Sequence, residues 1–177
     1  MSVIVVGALN VDQISYCSKI PAAGETIMGN KYETGLGGKG ANQAVQCALL
    51  GTSTVIIGAV GDDANGKWYL ENLPKSGVDC SKVVVLPGES TGVAPITVAE
   101  SNGENSIIVI SGANMGLDKT HFDLEMFRKA KIVVCQNEIT HQTNKARFKY
   151  SISNTSLGFI SFETYIRIRL SWVNKWD

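Results

Sequence analysis

The segment Gly35-Leu36-Gly37-Gly38-Lys39-Gly40-Ala41-Asn42-Gln43-Ala44 concentrates the groups best able to hold a ligand. Glycines let a backbone come close to a bound molecule, and a helix that follows opens with unpaired N–H donors. Lys39 adds a cation with three donors, and Asn42 adds donors and an acceptor. Such a cradle suits either a phosphate or a dense array of hydroxyls. By spacing, Gly35-x-Gly37-x-x-Gly40 also matches a dinucleotide fingerprint, with Asp62 about where a ribose-binding acid should lie. That fingerprint should follow the first buried strand, yet here Gly7 leads to Asn10 instead. A P-loop fails because Gly40, and not Ser or Thr, follows Lys39. A bare glycine turn before a helix is the plainest alternative, and Lys39 and Asn42 inside the cradle weigh against it.

Two further places carry polar groups at the right position. Asn10-Val11-Asp12 follows the first apolar run, Ser2–Gly7. Ligands of open α/β sheets bind beyond the carboxyl ends of the strands. In an extended segment residues at i and i+2 point the same way, so Asn10 and Asp12 could grip adjacent hydroxyls. Asp12 would do so with charge-assisted bonds. A solvated Asx-turn is the bland reading of the same residues. Glu138 lies three residues past the apolar run Lys131–Cys135, also at a carboxyl edge, and alone it is a weak signal.

The elements that would position these groups alternate. Ser2–Gly7, Thr54–Val60, Val83–Leu86 and Lys131–Cys135 read as strands, most of them apolar enough to be buried. Helices are expected at Gly38–Leu50, Ala64–Leu73 and Asp118–Arg128. This alternation predicts an α/β fold with a mainly parallel sheet flanked by helices. Ile14–Tyr16, Thr26–Met28, Gly92–Ala99 and Ser106–Ile110 are half-polar and short. They predict a small second β sheet at one edge, a lid or a dimer surface. Ser101-Asn102-Gly103 supplies a turn between the last two.

Composition bounds the rest. A chain of 177 residues, 44% hydrophobic, has ample material for one packed core. Zero formal net charge favours neither nucleic acid nor an acidic surface as a partner. Cys17, Cys47, Cys80 and Cys135 lie far apart without a CxxC pair, so buried thiols are expected and no metal site. No run of 18 apolar residues occurs, and MSVIVVGALN lacks a basic leader. The expectation is a soluble protein of the cytoplasm, with the nucleus also open. Seventeen of the 18 glycines and all four prolines precede residue 141, whereas 141–177 holds seven of the 13 aromatics. That shift divides the chain into 1–140 and a tail, 141–177, expected to be disordered or poorly packed.

Seven segments in order identify a resemblance to the ribokinase family, within the PfkB group of carbohydrate kinases. They are Gly7-Ala8-Leu9-Asn10-Val11-Asp12, Pro21 to Thr26, Gly37 to Ala44, Gly61 to Gly66, Glu89 to Ala94, Gly112-Ala113-Asn114 and Gln136-Asn137-Glu138. The resemblance runs from Val3 to about Thr140. It implies a ribokinase-like fold with a β lid that can pair two subunits. It also implies ATP-dependent phosphorylation of D-ribose, or a related pentose, at the 5-hydroxyl, with magnesium and a monovalent cation. Asn10, Asp12, Gly38, Lys39, Asn42 and Glu138 would bind the sugar.

The family's catalytic base lies in a Gly-Ala-Gly-Asp segment that is not found in this chain. Gly58-Ala59-Val60-Gly61-Asp62 looks similar but matches a different, structural segment, so Asp62 is not assigned as the base. The adenine-binding and cation loops are likewise unmatched. The expectation is therefore a C-terminally truncated chain with no catalytic, cofactor-binding or metal residues. The alternative to a kinase is a non-catalytic sugar-binding or dimerising fragment.

Overall fold

The computed structural model describes residues 2–122, 124–140 and 158–162. Its centre is a five-stranded parallel sheet in the order β5-β4-β1-β8-β9. The strands are β1 (Ser2–Val6), β4 (Ser53–Gly61), β5 (Asp79–Leu86), β8 (Ile132–Gln136) and β9 (Gly158–Phe162). Alternate residues of β1 serve two cores. Val3 and Val5 pack with Ile56, Ala41, Ala44, Tyr69 and Leu73, on the side of helices α1 (Lys39–Leu49) and α2 (Ala64–Asn72). Ile4 and Val6 pack with Ala113, Leu117 and Val133, against which Met126 and Phe127 of helix α3 (Leu124–Lys129) also rest. A sheet covered on both faces needs apolar residues at every position, which explains the unbroken runs in the sequence.

A second sheet, in the order β3-β2-β6-β7, stands on this body. It comprises β2 (Asn10–Cys17), β3 (Gly29–Gly37), β6 (Gly92–Ala99) and β7 (Asn105–Ile107). The chain enters it from the end of β1 and returns through Gly37-Gly38 to α1. It enters again from β5 and leaves after β7 into a 3-10 turn at Gly112–Gly116. These crossings form the seam at which the polar groups gather.

Several boundaries differ from expectation. β2 begins at Asn10 and not at Ile14, because β3 and β6 pair with it on both sides and satisfy its backbone along the polar stretch. The Asx-turn reading of Asn10 and Asp12 therefore fails. Thr26–Met28 is not a strand; β3 starts after it, at Gly29. β7 is shorter than expected. Ile108 N–H reaches Pro95 O, but Pro95 has no N–H to return, and pairing resumes only at Val93–Ile110. The expected helix Asp118–Arg128 is broken at Phe122, which is extended. Before it, Asp118 caps a 3-10 turn by accepting from Thr120 N–H, and α3 follows at Leu124.

One segment of the tail, which was expected to be disordered or poorly packed, is described and is ordered. Gly158–Phe162 forms β9 and pairs in parallel with β8, from Ile132↔Gly158 to Gln136↔Phe162. An apolar edge on β8 is thus covered by the chain's own later segment. The remainder of 141–177 lies outside the described residues.

Candidate functional site

Asn10 and Asp12 project from one face of β2, where its strand neighbours are small. Gly37 and Gly92 pair with Asn10, and Gly35 and Ala94 pair with Asp12. The glycines at 37 and 92 are required by contact. A Cβ on Gly37 would collide with the Asp12 carboxylate, and one on Gly92 with Asn10 Oδ1. Small residues on both sides leave the polar pair uncrowded.

Asp12 has no hydrogen-bond or ion-pair partner among the described residues, and burial alone raises its carboxyl pKa from 3.8 to about 6. Beneath it the Tyr69 hydroxyl donates to Gly37 O at 2.6 Å. Burial first, then the nearby Asp12 charge, pushes the Tyr69 pKa well above its usual value. Tyr69 therefore stays a neutral strut under the loop.

The glycine-rich segment is explained by backbone packing. Gly38 precedes α1 with φ of 89°, and a side chain there would strike Ala8 O and the Asn10 backbone. Gly40 would strike Gly7 and Ala8 in the same way. The loop is thus pressed onto the β1–β2 crossing, and the Asp12 carboxylate fills the space beside Gly37. A nucleotide phosphate does not fit such a place, since it would meet an anion and closed backbone. The dinucleotide fingerprint fails as well, because Gly35 and Gly37 lie inside β3, which pairs antiparallel with β2 in the second sheet.

Lys39, at the start of α1, forms an ion pair with Glu138, 99 residues away and just beyond β8. Both side chains are about one-third exposed. Asn42 lies one turn into α1 with an exposed side chain, and its N–H donates to Gly38 O. The fold thus gathers Asn10, Asp12, Gly38, Lys39 and Glu138 around one seam. Asn42 stands on the helix above, bonded to none of the others through its side chain. Among the described residues no group of three or more His, Cys, Asp or Glu could hold a metal ion. No helix there is long and apolar enough to cross a membrane. All four cysteines are free.

Residues 1–151 match the profile of the pfkB family carbohydrate kinases. The chain belongs to this family. It is 38% identical to mouse ribokinase over 141 residues, 78% of this chain and 43% of the mouse protein. It is 37% identical to Lactococcus lactis ribokinase over 178 aligned positions, 92% of this chain and 58% of that protein. Among solved structures, Giardia lamblia ribokinase superposes with a TM-score of 0.83 at 32% identity, over 94% of this chain and 52% of its own. Arabidopsis thaliana ribokinase, solved with ribose and ATP, gives 0.73 at 36%, over 90% and 52%. The chain spans about half the length of the ribokinases it matches. Similarity does not stop at Thr140, since the pfkB profile reaches residue 151.

Other residues of this pfkB-family chain hold the seam without having been singled out for a role. Asn114 and Gln136 reach across to the β1–β2 crossing; Gln136 Oε1 accepts from Ala8 N–H at 3.1 Å. Asp63 caps α2 through Gly66 N–H and also accepts from Thr91 N–H and Oγ1. Thr91 Oγ1 in turn accepts from Gly61 N–H. Burial raises the Asp63 pKa, but these hydrogen bonds outweigh it and leave it lowered. The sequence signal for them was their place in the segments that carry the family resemblance, which left their partners unread.

Proposed function

We propose that this chain holds D-ribose, or a closely related pentose, by adjacent hydroxyls as the sugar-binding part of an ATP-dependent kinase. The observation that carries this reading is Asp12. A buried carboxylate without a partner is costly. Sugar hydroxyls supply the donors it lacks without bringing a second anion. Asn10 would grip the neighbouring hydroxyl, Gly38 would offer backbone, and Lys39, Asn42 and Glu138 would border the sugar. The Arabidopsis relative, a ribokinase complexed with ribose and ATP, supports the choice of sugar.

Phosphoryl transfer to the 5-hydroxyl also needs a base and a nucleotide site. The 177 residues contain no Gly-Ala-Gly-Asp segment, and the glycine cradle does not suit a polyphosphate. ATP, magnesium and a monovalent cation would therefore be held by groups other than those described. By itself the chain binds sugar without transferring phosphate, in the cytoplasm or nucleus. The second sheet would pair two copies: Ile107 to Ile110 are four consecutive exposed apolar residues at its β7 side. Titration calorimetry with ribose tests the binding, and sedimentation tests the pairing. Ribose 5-phosphate formed from ATP and magnesium by the purified chain would refute the non-catalytic part.

A further inference from the structure

Asn114 lies in the 3-10 turn after β7 and is almost fully buried. Its Oδ1 accepts from Leu9 N–H at 2.8 Å. Its Nδ2 donates toward Leu9 O at 3.0 Å, Ser111 O at 2.8 Å and Asn10 Oδ1 at 2.8 Å. The Leu9 N–H can only donate and the two carbonyls can only accept. They therefore leave Asn114 one amide orientation. With its Nδ2 facing Asn10, Asn10 must turn its own Oδ1 toward Asn114. Asn10 Nδ2 is then the free end, with no hydrogen-bond partner among the described residues. It is also not among the sealed polar atoms lacking a partner.

From this chain of forced orientations we infer that Asn114 is a positioning residue that makes Asn10 a donor in the cleft, beside the acceptor Asp12. The inference rests on the sugar-binding reading. It deepens that reading by specifying the polarity of the grip: one hydroxyl accepts from Asn10 while its neighbour donates to Asp12. Without Asn114 the Asn10 amide could flip, and the Asn10–Asp12 pair would then offer two acceptors and no donor. The glycine at 92 belongs to the same device, because a side chain there would strike both amides.

Side-chain amide hydrogen exchange of the isotopically labelled full chain tests the orientation without sugar. Asn114 Nδ2 protons should exchange slowly, and Asn10 Nδ2 protons rapidly until ribose is added. Protection of Asn10 before ribose, with Asn114 exchanging fast, overturns the inference. Ribose calorimetry then tests the consequence. Asn114→Ala should weaken binding roughly tenfold or more. The double variant Asn114→Ala with Asn10→Ala should bind no worse than Asn10→Ala alone, because Asn114 acts through Asn10. Fully additive losses, or unchanged affinity in Asn114→Ala, contradict it. Should Asn114→Ala fail to fold, the exchange pattern of the parent chain decides. A parent chain that does not bind ribose would overturn the sugar reading and leave the amide orientation to the same exchange measurement.

Discussion

The two sheets are built to opposite specifications. The parallel sheet is covered on both faces, with Val5, Val6, Ile56 and Val60 fully buried. The four-stranded sheet leaves much of β3 open to solvent and exposes the run from Ile107 to Ile110. The first therefore carries stability, while the second trades burial for a surface that can meet ligands and partners. The candidate site lies where they join, with Asn10 and Asp12 on β2, Lys39 on α1 and Glu138 just beyond β8.

Substitutions on the two sides should break this symmetry by size of effect. Ile56→Ala, in the centre of β4, should cost about 2–5 kcal/mol in urea denaturation. A loss under about 1 kcal/mol would mean that the parallel sheet is not the cooperative core. At the seam, Asp12→Asn should stabilise the unliganded chain by about 1–3 kcal/mol at pH 8, since it removes a largely buried charge that has no partner among the described residues. The sign follows from the raised pKa. Below about pH 4 Asp12 is protonated whether the chain is folded or not. Between about pH 4 and about 6 only the folded chain keeps the proton, so stability falls as pH rises through that window. Urea midpoints that rise across the same window, after subtraction of the Asp12→Asn profile, would contradict the burial of this group. On the outer sheet, Ile107→Ala should change stability by less than about 0.5 kcal/mol. A larger loss, dependent on protein concentration, would show that the exposed run is already covered by a second copy.

What the sequence disclosed differs between the sheets for the same reason. Continuous apolar runs such as Ser2–Val6 and Ser53–Gly61 need burial on both faces, and few other structures provide it. β2 was only half visible, since Asn10, Asp12 and Gln13 look like turn residues until β3 and β6 are known to flank them. Gly158–Phe162 falls where some alternation made a strand conceivable, but without turn chemistry to place it, and its register with β8 does so. At the site, residue type marked Asn10, Asp12, Lys39 and Glu138, because charge and spacing survive in a linear text. The Lys39–Glu138 pair spans 99 residues and needed the fold. So did Asn114, whose importance lies entirely in what it faces, 105 residues from Leu9.

Asp12 has no partner among the described residues, and if it is ionised and takes its donors from sugar hydroxyls, ribose calorimetry as a function of pH reads it directly. The parent chain should bind ribose at pH 8 and lose up to about tenfold in affinity at pH 5, one unit below the Asp12 pKa of about 6. Asp12→Asn should bind about ten- to a hundredfold more weakly at pH 8 and show no such pH dependence. Ribose binding that is equal in parent and Asp12→Asn, or absent from the parent at pH 8, would contradict the central claim.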